Sequence, residues 1–188
     1  MSNRHIHVVL FEPEIAQNTG NIARTCAVVG ATLHLVEPMG FRPTERNLKR
    51  AGCDYWDKVD IKHWASTGAF LAEHEGDEMY FFTGQSTHVY TDIVYGGAQA
   101  QGSNPRSDAE KASQDALVCN DTVNFDNEDI NVYLIFGRES RGLDQDIIDS
   151  HLEQCVRIPM REGLRSLNLS NAVAIGVYEV VRQWQYIC

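Results

Sequence analysis

Three short stretches of the chain combine glycine with asparagine, arginine, glutamate and serine, the residue types that bind and orient a polar ligand. They are "NTGNIAR" (18–24), "FGRESRGLD" (136–144) and "RIPMREGLRSLNLSN" (157–171). In the second stretch, Gly137 and Gly142 bracket four polar residues, which is typical of a tight loop whose backbone comes close to a ligand. One such stretch alone is a weak signal, but the ordered set of three predicts a shared site.

Each stretch follows an apolar run in a chain that alternates predicted strands with predicted helices. Strands are predicted at 7–11, 32–36, 79–83, 132–136 and 155–159, and helices at 18–30, near 44–51, 65–75 and 144–151, and from Leu169 or Ser170 onward. We expect the first helix to be capped by Asn18 or Thr19 and to end at Gly30. The alternation predicts an α/β fold with a parallel sheet, in which ligands bind at the carboxyl ends of the strands.

Helix capping offers a structural explanation for part of the third stretch. Asn168 or Ser170 can accept hydrogen bonds from the unpaired N–H groups that open the final helix. Capping accounts for one or two polar residues, and Arg161, Glu162 and Ser166 need another reason. A ligand at this junction would supply that reason.

Composition indicates a globular domain of ordinary size. The 188 residues are 43% hydrophobic and 22% charged, which suits a single domain spanning the whole chain (1–188). No apolar run approaches the roughly 20 residues of a membrane span, and the start "MSNRHIHVVLFEPE" is typical of a first strand and not of a signal peptide. Five scattered cysteines without a CxxC pair favour reduced thiols in a cytoplasmic protein.

The charge of the chain is unevenly distributed. The net charge is −10, and residues 92–130 contribute −6 of it through eight acidic and two basic residues. The segment from about 95 to 129 is small, polar and acidic, so we expect a surface insertion there. Arginines and lysines cluster at 42–50, 138–141 and 157–165. These clusters are either solvated surface or a locally basic face that suits a nucleic acid.

Several familiar signatures are absent from the sequence. It contains no GxGxxG after a strand, no HExxH and no GxSxG elbow. His5 and His7 alternate on the first strand, and no other histidine or cysteine lies at ligand spacing. The sequence therefore predicts no metal, and it disfavours a nicotinamide-dependent dehydrogenase.

The three stretches, in this order, resemble motifs of the SpoU family of RNA 2′-O-ribose methyltransferases. The resemblance rests on "NTGNIAR", "FGRESRGL" and "IPM" with "SLNLSNAV", and it extends from Val8 to about Trp184. It implies the SPOUT fold, a parallel sheet flanked by helices with a C-terminal trefoil knot. The compact members of the family that this chain resembles methylate the ribose of the wobble nucleotide, cytidine or uridine 34, of leucine tRNAs.

The resemblance also implies a cofactor, S-adenosyl-L-methionine, and residues that would hold it. The family's cofactor positions correspond to Phe82, Thr83, Gly137, Ile158, Ser166 and Leu167. Its catalytic positions correspond to Arg24, Asn18, Glu139 and Asn168. A homodimer is implied as well, in which Arg24 approaches the cofactor pocket at the interface.

A protonated guanidinium is a poor base at neutral pH, so we expect Arg24 to clamp phosphate and ribose. Asn18, Glu139, Ser166 and Asn168 would then supply orienting hydrogen bonds. Two alternatives remain within the same fold: the same reaction on another tRNA or rRNA nucleotide, and a catalytically silent RNA-binding module.

Overall fold

The computed structural model describes residues 4–42, 56–97, 129–164 and 166–184. The helix predicted near 44–51 lies outside these ranges, as does most of the insertion predicted at 95–129. Tyr95, at the approximate start of that insertion, is only 2% exposed and packs in the core.

Six parallel strands form the sheet in the described part of the chain. They are β1 Arg4–Phe11, β2 Thr32–Val36, β3 Ile61–Trp64, β4 Glu78–Phe82, β5 Ile130–Phe136 and β6 Cys155–Val156. Their order is β3-β2-β1-β5-β4-β6, so β1 and β5 lie at the centre. Val8 of β1 pairs with Leu33 on one side and with Leu134 on the other. The predicted α/β fold with a parallel sheet is confirmed.

Two strands differ from the prediction. β3 was not predicted, because only the two ends of its "IKHW" sequence are partly buried and the middle is exposed, as suits an edge strand. β6 ends at Val156, short of the predicted end at Pro159. Proline has no N–H to donate to a neighbouring strand, and Arg157 forms only an isolated bridge with Val89.

Within the residues that the structure describes, four α-helices lie on the two faces of the sheet. They are α1 Ala16–Val29, α2 Thr67–Glu73, α3 Gln145–Ser150 and α4 Leu169–Gln183. α1 ends at Gly30, whose φ of 72° is the left-handed conformation that glycine adopts readily. α4 is capped by Asn168, whose side chain accepts from the Ser170 N–H. Both predictions are therefore confirmed. Among the described helices, none combines the length and apolar character needed to cross a membrane.

The two faces of the sheet bury separate apolar clusters. One packs against α1 and α4 and includes Val8, Leu10, Ile22, Cys26, Leu134, Val173 and Val177. The other packs against α2 and α3 and includes Val9, Phe11, Phe70, Phe81, Ile135 and Ile148. The central strands are buried on both sides, which explains why they are continuous apolar runs in the sequence.

A buried chain of polar side chains crosses the second face. Trp64 Nε1 donates to His34 Nδ1 (3.0 Å), and His34 Nε2 is 3.0 Å from His7 Nδ1. Because His34 Nδ1 is an acceptor, its Nε2 carries the proton and donates to His7. His7 Nε2 then donates to Asn131 Oδ1 at 3.1 Å. Burial lowers the pKa of His34 to about 3 and also lowers the pKa of His7, so both rings are neutral near pH 7.

Candidate functional site

A cavity of about 540 Å³ opens at the carboxyl ends of β4 and β5. Its volume lies within the range of small-molecule sites. Nine of the ten residues predicted for the site line it: Asn18, Phe82, Thr83, Gly137, Glu139, Ile158, Ser166, Leu167 and Asn168. The three polar stretches therefore meet at one place, as their positions after strands led us to expect.

Aromatic and aliphatic side chains form the apolar walls of the cavity. The rings of Phe82 and Phe136 stack with centroids 4.5 Å apart and planes 19° apart. Gly176 of α4 lies directly behind Phe82, because a Cβ atom there would be 2.8 Å from its Cζ atom. The absence of a side chain on α4 thus lets this ring seat against the helix.

The loop after β5 closes tightly on itself. Arg138 and Gly142 exchange two backbone hydrogen bonds, of 3.1 and 2.8 Å. A Cβ atom on Gly137 would overlap the backbone of Gly142 and Leu143. We expected glycine at 137 to allow a ligand to approach the backbone. In the structure, position 137 requires glycine because the loop packs against its own backbone there.

Glu139 holds the N-terminus of α1 in place. Its Oε2 accepts from the Glu14 N–H at 2.8 Å, and its Oε1 accepts from the Ile15 N–H at 3.2 Å and from Asn18 Nδ2 at 3.1 Å. The predicted cap at Asn18 or Thr19 is wrong, because α1 begins at Ala16 and Ile15 at the N-cap position offers no side-chain hydrogen bond. The carboxylate of Glu139 performs this task from the loop after β5.

Asn18 connects Glu139 to the start of α4. Its Nδ2 donates to Glu139, and its Oδ1 accepts from Asn168 Nδ2 at 2.9 Å. Asn168 in turn uses its Oδ1 to cap α4 through Ser170. These three predicted catalytic side chains therefore hydrogen-bond one another and join α1, the β5 loop and α4.

Two more glutamates, neither of them predicted for the site, join the loop after β1 to the loop after β5. Glu14 accepts from the Ser140 N–H at 2.8 Å and from the Ser140 hydroxyl at 2.9 Å, and these hydrogen bonds hold the pKa of its carboxyl below the ordinary value. Glu12 accepts from Arg138 Nε at 2.9 Å, and the same guanidinium binds Asp144 with its two terminal nitrogens. The sequence signal for both glutamates was "FEPE", two carboxylates directly after a buried strand.

Arg24 is the one predicted site residue that does not line the cavity. It lies on the exposed side of α1, well along the helix from Asn18. Arg141, by contrast, is an exposed arginine at the cavity itself and was not predicted for the site. Within the described residues, no group of three or more histidine, cysteine, aspartate or glutamate side chains could hold a metal ion.

Comparison with known proteins shows similarity over nearly the full chain. The model of the SpoU rRNA Methylase family matches residues 5–178. The tRNA (cytidine(34)-2'-O)-methyltransferase of Yersinia pestis is 38% identical over 187 residues, covering 96% of this chain and 95% of that protein. The protein of the same name from Aeromonas hydrophila is 38% identical over 182 residues, covering 96% of each.

Solved structures share the fold. A structure described as "Structural insights into the 2-OH methylation of C/U34 on tRNA" matches with a TM-score of 0.72 and 34% identity, covering 97% of both chains. The SpoU methyltransferase AviRb from Streptomyces viridochromogenes, in complex with the cofactor AdoMet, matches with a TM-score of 0.69. That match is 18% identical and covers 98% of this chain and 60% of the other, so it supports the fold alone.

Proposed function

Because the chain belongs to the SpoU rRNA methylase family, we propose that it transfers a methyl group to the ribose 2′-hydroxyl of nucleotide 34 of a tRNA. The observation that carries this proposal is the 38% identity, across nearly the full length, to proteins named for that reaction on cytidine 34. Leucine tRNAs, carrying cytidine or uridine at the wobble position, are the substrates that we propose. Such a substrate is consistent with a cytoplasmic location.

The cavity fits the proposed methyl donor, S-adenosylmethionine. Phe82, Phe136, Ile158 and Leu167 provide apolar surface for an adenine ring. The open space beside Gly84, where a Cβ atom would meet nothing within 4 Å, leaves room near the backbone at the end of β4. When bound, the cofactor supplies a methyl group made electrophilic by its sulfonium. The protein must then position the ribose hydroxyl and stabilise its loss of a proton.

We assign different tasks to the four residues predicted to be catalytic. Arg24 is the proposed clamp for the phosphate and ribose of the substrate, since its guanidinium is exposed and donates in a planar fork. Asn18, Glu139 and Asn168 act as positioning residues, because their hydrogen-bonding atoms engage one another and the ends of α1 and α4. Ser166 lines the cavity and is a proposed contact of the cofactor.

We further propose that the protein acts as a homodimer of single-domain chains. Arg24 does not line its own chain's cavity, which supports a contribution of this residue to the partner's site. Exposed apolar side chains occur at Ile15, just before α1, and at Tyr178 on α4, where a second chain could bury them. The trefoil knot and the surface insertion at 95–129 remain predictions of the family resemblance and of the sequence, respectively.

A methylation assay on transfer RNA tests the proposed function. The purified protein and S-adenosylmethionine carrying a labelled methyl group would be incubated with total tRNA from a strain that lacks the corresponding enzyme. We expect label on the ribose of nucleotide 34, mapped by nuclease digestion and mass spectrometry. Label on another tRNA nucleotide, or only on ribosomal RNA, would support the alternative substrates. Binding of RNA without any transfer would indicate the silent module.

A further inference from the structure

The loop after β1 and the loop after β5 exchange carboxylate hydrogen bonds in both directions. Glu139 of the second loop accepts from the Glu14 N–H, and Glu14 of the first loop accepts from the N–H and the hydroxyl of Ser140. These contacts join residues about 125 positions apart in the sequence. Neither loop can shift relative to the other without breaking charge-assisted hydrogen bonds.

The first loop is also held from its other side. Gly40 donates its N–H to the Pro13 carbonyl at 2.9 Å, and a Cβ atom on Gly40 would be 2.8 Å from the Glu14 Cα atom. Glu12, with φ of 52°, takes the left-handed conformation that a glutamate rarely adopts, and its carboxylate is bound by Arg138. Contacts on both sides of the loop therefore hold the backbone around Glu14 in place, and its side chain reaches Ser140 from there.

We propose that Glu14 is a positioning residue for methyl transfer: by holding Ser140, it keeps Glu139 oriented on the first turn of α1. Glu139 then fixes Asn18, and Asn18 fixes Asn168 at the start of α4. Glu14 does not line the cavity, whereas Ser140, Glu139 and Asn18 do. The predicted effect on the rate of methyl transfer rests on the proposed function, whereas the predicted effect on the two loops does not.

The contacts lead from Glu14 through Ser140 and Glu139 to α1, and this order predicts whether kcat or cofactor affinity changes when Glu14 is lost. Misplacing α1 by a fraction of an ångström alters the alignment of the reacting groups, because α1 carries Asn18 and Arg24. The apolar side chains proposed to hold the adenine, Phe82, Phe136, Ile158 and Leu167, lie on β4, β5 and the segment between β6 and α4, outside the loop that carries Glu14. Loss of Glu14 should therefore lower kcat far more than it weakens cofactor binding.

Kinetics of four variants test this proposal. Glu14→Ala should lower kcat about tenfold or more while S-adenosylmethionine affinity, measured by calorimetry, stays within about threefold. Glu14→Gln keeps one acceptor oxygen for Ser140 and should lose less activity. Ser140→Ala should lower kcat in the wild-type background and have a smaller effect in Glu14→Ala, because the hydrogen bond between the Ser140 hydroxyl and Glu14 is already lost there. Glu73→Gln, on the exposed side of α2, is the matched control and should behave as wild type.

Hydrogen exchange separates this proposal from the proposed function. Residues 12–18 and 138–142 should exchange faster in Glu14→Ala than in wild type, whereas residues 67–73 of α2 should not change. This readout stands even if the wild-type protein methylates no tRNA, an outcome that would overturn only the proposed function. Unchanged exchange in both loops, or effects of Glu14→Ala and Ser140→Ala on kcat that simply multiply, would overturn the positioning role.

Discussion

The side chain of Asn168 donates a hydrogen bond of 2.9 Å to the side chain of Asn18, across 150 positions of sequence. The same Asn168 caps α4 with its amide oxygen, and the same Asn18 donates to Glu139. Each amide thus uses its donor and its acceptor on different elements. A change at either residue should therefore affect two helices and one loop that border the cavity.

The loop after β5 should not accept any side chain at position 137. Gly137→Ala is expected to lower the free energy of unfolding by about 1–3 kcal/mol, because the new methyl group overlaps the backbone of Gly142 and Leu143. Urea denaturation at pH 7 measures this. Gly84→Ala is the matched control, since Gly84 also lines the cavity and its methyl group would meet nothing within 4 Å. Equal stability of the two variants would contradict a rigid loop.

A second prediction concerns the seat of Phe82. Gly176→Ala should improve the intrinsic helix propensity of α4, yet it should push the Phe82 ring toward the cavity because the new methyl group lies 2.8 Å from Cζ. We expect S-adenosylmethionine affinity to fall roughly tenfold, about 1.4 kcal/mol, in calorimetric titration. Gly68→Ala in α2 is the matched control, because the nearest atom to the new methyl group would be 4.0 Å away. It raises the helix propensity at a position away from the cavity, so S-adenosylmethionine affinity should be unaltered. Wild-type affinity in Gly176→Ala would show that the ring moves elsewhere.

Arg24 should be dispensable for the cofactor and essential for transfer. Arg24→Ala removes an exposed side chain that does not line the cavity, so S-adenosylmethionine should bind with wild-type affinity while tRNA methylation is lost.

A mixing experiment tests whether Arg24 acts in the partner's site. Gly84→Trp places an indole in the cavity and should abolish cofactor binding in its own chain. Heterodimers of Gly84→Trp with Arg24→Ala should regain about half of the wild-type activity, because both defects fall in one of the two sites. Inactive heterodimers, alongside active heterodimers of wild type with each variant, would place Arg24 in its own chain's site.

The buried imidazoles predict an acid-sensitive fold. His34 keeps a pKa of about 3 when folded, against 6.5 for an unperturbed histidine, so the unfolded chain binds more protons between these values. The contribution of neutral His34 to the free energy of unfolding is therefore fully present above about pH 6.5. It decreases as the pH falls below that value, by about 1.4 kcal/mol per pH unit. His7, whose pKa is also lowered, adds to the slope.

Denaturation curves at several pH values between 4 and 7 measure this slope. His34→Gln should make it shallower by about 1.4 kcal/mol per pH unit, and His7→Gln should also make it shallower. His63→Gln, which changes an exposed histidine of β3, should leave it as in wild type. If the free energy of unfolding depended on pH in the same way in all four proteins, the buried imidazoles would not be the source of the acid sensitivity.

Local signals predicted much of this molecule. The central strands are continuous apolar runs, Gly30 ends α1, and Asn168 caps α4, each of which depends on residues close in sequence. The motifs of the family resemblance indicated nine residues that meet at the cavity. The features that the sequence did not predict depend on contacts between residues that are far apart in the chain.

The cap of α1 is the clearest example of such a contact. Asn18 has the right residue type for a cap, but Glu139 occupies the N-terminal donors from a loop 121 positions away from Asn18. His7, His34 and Trp64 show no spacing that indicates a polar cluster, because only the pairing of their strands brings them together. Gly137 lines the cavity, but the reason for glycine there differs from the predicted one, since sequence does not show where a loop folds against itself.

The chain of hydrogen bonds from Trp64 to Asn131 also bears on how the sheet assembles. Its four members come one each from β3, β2, β1 and β5, which are consecutive in the sheet. Slipping any one of these strands by a single residue would turn its member to the opposite face and leave buried N–H groups unpaired, at about 1–3 kcal/mol each. Apolar strands alone discriminate poorly among such shifted pairings, because valine and leucine fit many neighbours. The polar chain therefore penalises shifted registers of these four strands and favours the observed alignment when the sheet forms.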